Sequence, residues 1–132
     1  MQQILLRVGR RLSINQRKFV AELIGTFIVV AFASGSVVID AKTHGILVVP
    51  FIAFALAIGV YLFGKISMAH FNPAVTVGYL ITGHIRRIQL LYYFAAEIIG
   101  AILASIFIKY VIGSEAHLGA NSFNHSYMLA PK

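Results

Sequence analysis

The chain has 132 residues, of which 59% are apolar and only 11% charged, with a mean hydropathy of +0.85. That is too apolar and too poor in charge for a water-soluble globular domain, so the lipid bilayer is the expected solvent. A formal charge of +7 would suggest nucleic acid in a soluble protein, but five of the eleven basic residues, Arg7, Arg10, Arg11, Arg17 and Lys18, directly precede the first apolar run. Charge placed there reads as membrane topology. The absence of cysteine excludes a disulfide, a thiolate nucleophile and a cysteine metal site.

Residues 1–18 form a basic N-terminal segment. Phe19 to Ile39 follows, 21 residues with a single charge at Glu22. At 1.5 Å per residue a helix of that length matches the roughly 30 Å hydrocarbon core, which predicts a first span over 19–39. A basic stretch, an apolar run and Ala31-Phe32-Ala33 also fit a signal peptide, yet the apolar run continues past that site and contains Glu22. Asp40 to His44 reads as a short polar turn. Gly45 to Gly64 carries no charge and predicts a second span over 45–64; Tyr92 to Ile112 predicts a third over 92–112, approached through Arg86 and Arg87. Residues 114–132 read as a polar tail without a further span, leaving 19–113 as the membrane unit.

Between the second and third spans, Lys65 to Gln89 is polar at its ends and apolar in its middle. Asn72 suits an N-cap, Pro73 the first helical position, and Gly83 a stop after Thr82, which predicts a ten-residue helix over 73–82. Such a helix is about 15 Å long, half the hydrocarbon thickness. It can enter from one face and end near the midplane, where non-helical backbone is tolerated only if it is buried in protein or lines a cavity.

The N-terminal segment and the loop holding Lys65, Arg86 and Arg87 contain eight of the eleven basic residues and lie on one side of a three-span chain. The expected orientation therefore has a cytoplasmic N-terminus and an external C-terminus.

A half-helix that starts at the midplane turns unsatisfied N–H groups and the positive end of its dipole into the cavity it lines, a barrier to cations and protons. Asn72 adds a side-chain donor, and the carbonyls of Met68, Ala69 and His70 offer a ladder of acceptors for a passing neutral solute. An interfacial loop with an ordinary Asn cap fits the same residues, and physics alone leaves both readings open.

The run Ile66-Ser67-Met68-Ala69-His70-Phe71-Asn72-Pro73-Ala74-Val75-Thr76 resembles the first signature loop of the aquaporin and glyceroporin family. Ala21-Glu22-Leu23-Ile24-Gly25-Thr26-Phe27 resembles that family's first-helix motif, Ala96-Glu97-Ile98-Ile99-Gly100-Ala101 its third-helix motif, and His117-Leu118-Gly119-Ala120 the external loop of its glycerol and nodulin-like branches. The resemblance covers the chain from Phe19 onward. It implies an all-α membrane protein with three transmembrane helices and one re-entrant half-helix, which is one of the two inverted repeats from which such a pore is built. The sequence holds one Asn-Pro-Ala and no second half.

By this resemblance Asn72, Pro73, Ala74, Val75, Met68, Ala69 and His70 would form pore and selectivity elements, and Glu22 would brace the loop backbone. Glu97 stands where the family usually has Gln; it is protonated or it bonds the same loop, and a proton relay is a third role for a carboxyl at this position. Twenty residues back from Asn72, the family's second-helix filter position falls on Ile52. An aliphatic residue there suits glycerol or another small neutral solute better than water alone, unless Phe51 or Phe54 fills the site.

His70 has no second ligand at helical spacing, and His44, His84, His117 and His125 are scattered, so no metal and no cofactor is expected. No hydrolase, P-loop or metalloprotease motif is present, and an enzyme is not expected. Small residues at Ala96, Gly100 and Ala104, and at Ala21 and Gly25, mark close helix packing. Two functions remain. One is a passive channel subunit for water or small neutral solutes in the cell membrane, with its pore completed by oligomerisation or by a chain carrying the second repeat. The other is a non-conducting interaction protein or truncated fragment that binds full-length relatives.

Overall fold

The computed structural model describes residues 13–43 and 48–119, and every element among them is helical. In a bilayer this follows from the backbone: apolar segments find no water for their N–H and C=O groups and must satisfy them internally. Helix α1 spans Ile14–Thr43, α2 Val48–Ser67, α3 Pro73–Ile81 and α4 Arg87–Phe107; a π-helical turn, Ile108–Ile112, continues α4, and a 3-10 turn covers Glu115–Gly119.

The helix ends differ from the expected spans for identifiable reasons. Helix α1 starts at Ile14 because Ser13 and Gln16 form a reciprocal capping box: the Ser13 N–H donates to Gln16 Oε1 at 2.8 Å and the Gln16 N–H to Ser13 Oγ at 3.3 Å. It does not stop at the expected polar turn. Asp40 to Thr43 stay helical, and Lys42 reaches across to the Ile112 carbonyl and to Glu115. His44 and the expected second-span start at Gly45 lie outside the described residues, as does the tail beyond Gly119.

Helix α2 runs three residues past Gly64, and the Met68 N–H closes onto the Gly64 carbonyl. Helix α3 ends at Ile81, one residue short of the expected Thr82, which becomes the C-cap. Gly83 follows at φ 77, the left-handed position that a helix stop commonly uses. Helix α4 begins at Arg87, five residues before Tyr92, where Gln89 Oε1 accepts the Arg86 N–H.

By length and composition, Ile14–Lys42 and Arg87–Ile112 are each able to cross a membrane, and Phe51–Ser67 is a shorter apolar stretch. Helix α1 is central and packs against both α2 and α4, while α3 packs against α4. The α1–α4 crossing is close because Ala96, Gly100 and Ala104 are buried in it; a Cβ on Gly100 would lie 2.6 Å from the Leu23 carbonyl oxygen. The buried core is also unusually polar. Glu22, Thr26, Ser67, His70, Thr76 and Glu97 all lie within it, and all but Thr26 converge on the segment between α2 and α3.

Candidate functional site

Residues Met68 to Asn72 connect α2 to α3 without regular structure. Met68, Ala69 and Phe71 take positive φ values of 70, 52 and 52 degrees, a left-handed region that costs a residue with a Cβ roughly 1–2 kcal/mol. Such a segment persists only if its surroundings hold it.

Glu22 of α1 supplies the main restraint. Its Oε1 accepts the His70 N–H at 3.0 Å and its Oε2 the Phe71 N–H at 2.7 Å, and the Ser67 hydroxyl faces the same carboxyl. The side chain is completely buried. Both oxygens of the carboxyl group thus serve as acceptors for backbone donors that burial would otherwise leave unpaired.

The second restraint is apolar. The Phe71 ring fills a slot opened by two glycines: a Cβ on Gly25 of α1 would lie 1.9 Å from Phe71 Cε1, and one on Gly59 of α2 2.8 Å from Cε2. Phe63 meets the same ring edge-on at 6.2 Å.

The third comes from α4. Tyr93 donates its hydroxyl to the Ser67 carbonyl at 2.6 Å, which satisfies an orphan acceptor at the end of α2. One turn further on, Glu97 Oε1 lies 2.6 Å from Thr76 Oγ1, which in turn lies 2.8 Å from His70 Nδ1. The His70 ring is packed between Tyr79 at 4.2 Å and Tyr93 at 4.6 Å. His70 is therefore a core residue in its side chain, and only its main chain is left for a cavity.

Asn72 caps α3. Its Oδ1 accepts the Ala74 N–H at 2.9 Å with Pro73 at the first helical position, so the amide NH2 points away from the helix as a donor. Asn72, Pro73, Ala74 and Val75 are all exposed, forming an open face at the helix N-terminus. Met68 and Ala69 are half-buried beside it. Ile52 is half-buried in α2 and takes no part in the hydrogen-bonded network; Phe51 turns toward Phe32 of α1, with ring centroids 6.2 Å apart. Among the described residues no cluster of metal-ligating side chains forms.

Tyr93 and Gly59 emerge as site residues outside every sequence motif, and Ser67 and Thr76, which lie in the signature run, gain partners that the run itself does not indicate. Their partners lie at long sequence separations, 21 residues for Thr76 and Glu97 and 26 for Tyr93 and Ser67.

Comparison with known proteins gives this arrangement a family. The family model for the major intrinsic protein matches residues 10–130. Aquaporin Z of Photorhabdus laumondii is 41% identical over 104 residues, covering 74% of this chain and 44% of the relative. Glycerol uptake facilitator protein-like 6 of Lactiplantibacillus plantarum is 45% identical over 95 residues, 70% of this chain and 43% of the relative. Nodulin-26 of Glycine max is 37% identical over 93 residues, 67% of this chain and 34% of the relative. The chain spans less than half the length of each of these relatives, and with a family match over nearly its whole length it belongs to the major intrinsic protein family, as an integral membrane protein.

Proposed function

We propose that the chain supplies one half of a passive transmembrane channel for water and small neutral solutes such as glycerol. The observation that carries this reading is the exposed N-terminus of α3. A half-length helix capped by Asn72 presents donors and a positive dipole end on an open face, while Glu22, Phe71 and Glu97 hold it from behind. The names of the relatives support the solute class: one is an aquaporin and another a glycerol uptake facilitator.

In this reading 1–18 is a cytoplasmic segment, 19–113 is the membrane repeat with α1, α2 and α4 as spans and α3 re-entrant, and 114–132 is an external tail in the cell membrane. Asn72 to Val75 and the main chain of Met68, Ala69 and His70 line the pore, with Ile52 at its constriction; Glu22 and Glu97 brace the loop. No bond is made or broken. The opposite wall comes from a second repeat, or from a copy inserted in the opposite sense, which the bias of basic residues to one side opposes.

A second reading, a non-conducting partner of full-length relatives, is favoured by the bias of basic residues to one side, which opposes the antiparallel pairing that a self-completed pore needs. Osmotic shrinkage of liposomes containing the purified chain, followed by stopped-flow light scattering with sucrose and then glycerol, tests the first. Permeability well above that of empty liposomes supports a self-completed pore, and glycerol re-swelling reports its solute. A folded, inserted chain without added permeability turns the assignment to the second reading or to a required partner, which co-reconstitution with a second-repeat chain separates.

A further inference from the structure

Thr76 Oγ1 sits between two titratable side chains, 2.6 Å from Glu97 Oε1 and 2.8 Å from His70 Nδ1. A hydroxyl has one proton and donates to only one of them at a time. Two proton arrangements satisfy both short contacts with the same heavy-atom positions. In the first, His70 Nδ1–H donates to Thr76 and Thr76 donates to a Glu97 carboxylate. In the second, a protonated Glu97 donates from Oε1 to Thr76, Thr76 donates to a bare Nδ1, and His70 carries its proton on Nε2.

The cluster is closed off from solvent, and its His70 end is open to a proton. The His70 and Glu97 side chains are both buried, only 3% and 1% exposed, and His70 Nε2 has no hydrogen-bond partner among the described residues.

We propose that Glu97, Thr76 and His70 form a reversible proton chain beneath the Asn72 loop, in which protonation of Glu97 reverses both hydrogen bonds and switches the tautomer of His70. The step balances. One proton enters at His70 Nε2, the Nδ1 proton passes to Thr76 Oγ1, and the Thr76 proton passes to Glu97 Oε1; His70 and Thr76 end with as many protons as they began, and Glu97 gains one.

The surrounding groups fix the setting. From α1, Glu22 has both oxygens committed to backbone N–H groups, and Lys18 acts on the ring from a distance. From α2, Ser67 faces Glu22 and does not titrate. Helix α3 contributes Tyr79 against the ring, α4 contributes Tyr93, whose hydroxyl is held by Ser67, and the Asn72 N–H faces Glu97. Among the described residues the salt bridge is Lys42–Glu115, away from this cluster. With Glu97 ionised the cluster holds two carboxylates; a proton on Glu97 leaves one. Because His70 is two residues from Asn72 and its N–H is held by Glu22, the proton on Glu97 becomes a control on the loop of the proposed pore. That consequence rests on the channel reading, whereas the proton chain does not.

The test is heteronuclear NMR of the full chain in liposomes, labelled with heavy nitrogen in histidine, with His70 assigned by its loss in His70→Gln. On raising the pH, His70 changes from the Nε2–H to the Nδ1–H tautomer in a single one-proton step, and a protonated-carboxyl infrared band disappears in the same step. Glu97→Gln abolishes both changes; should that variant not fold, Thr76→Ser must keep the coupled step and Thr76→Val must uncouple it. An invariant tautomer across the pH range in which the wild-type chain stays folded overturns the proposal. So does a doubly protonated ring in place of a tautomer change, or a step that survives in Glu97→Gln. None of these readouts needs the chain to conduct, so its failure and that of the channel reading remain distinguishable.

Discussion

Glu22 and Phe71 are joined twice: the Glu22 carboxyl accepts the Phe71 N–H at 2.7 Å, and the Phe71 ring lies against Gly25, less than one turn further along the same helix. One face of α1 therefore holds both the main chain and the side chain of a residue in left-handed backbone. The Asn72 loop is positioned from this face.

Glu22→Gln replaces a double acceptor by a group with one acceptor and one donor, so one of the two loop N–H groups loses its partner. A buried donor left unpaired costs about 1–3 kcal/mol. Unfolding titrations in mixed detergent micelles should show a loss of that size, and a variant as stable as wild type would remove Glu22 from its bracing role.

Gly25→Ala should destabilise by about 1–3 kcal/mol through overpacking, because its new Cβ meets the Phe71 ring at 1.9 Å. In a Phe71→Ala background the same substitution should cost little, since the obstructing ring is gone; the two changes should be strongly non-additive in a double-mutant cycle. Additive costs would place the ring elsewhere.

Asn72→Ala should cost about 1 kcal/mol as a lost N-cap, whereas Asn72→Asp keeps a capping oxygen. The aspartate also removes the NH2 donor and adds a negative charge at the open end of α3. In a conducting assembly it should therefore leave stability near wild type and weaken the exclusion of cations, as read by ion-flux assays. Unchanged selectivity would argue against a pore role for this face.

At the other end of the molecule, the Glu115 carboxyl is held below its ordinary range by its own backbone N–H and then by Lys42. A folded-state value below the unfolded one contributes stability at pH above the ordinary carboxylate range, lost as pH falls through the folded value. Both side chains are about half exposed, so the effect is small and salt-sensitive. Melting temperature against pH should flatten slightly in Glu115→Gln. Lys42→Met should lose more, because the Ile112 carbonyl loses its donor as well.

Much of the architecture was legible because lipid imposes simple rules: charge-free runs of spanning length become helices, and Asn72-Pro73 announces the start of α3. The helix ends were less so. Asp40 to His44 reads as a turn only if polarity ends a helix, but an α-helix can continue into the interface when its last side chains find partners, as Lys42 does at Ile112 and Glu115. Gly25 reads as part of a helix-packing stripe, and its neighbour proves to be a ring from the loop. Thr76 as the partner of Glu97, and Tyr93 as the partner of Ser67, leave no periodic trace, because each contact is made by chain folding across 21 residues or more.

Stopped-flow osmotic shrinkage should be compared between liposomes carrying the wild-type chain and liposomes carrying Val75→Trp, whose substituted side chain lies on the exposed first turn of α3. Water permeability should be raised for whichever assembly completes the pore, alone or with a second-repeat chain, and should return to the empty-liposome level with Val75→Trp at equal folding and insertion. Permeability that is raised but indifferent to Val75→Trp would place the conducting path elsewhere and contradict the role given to the Asn72 face.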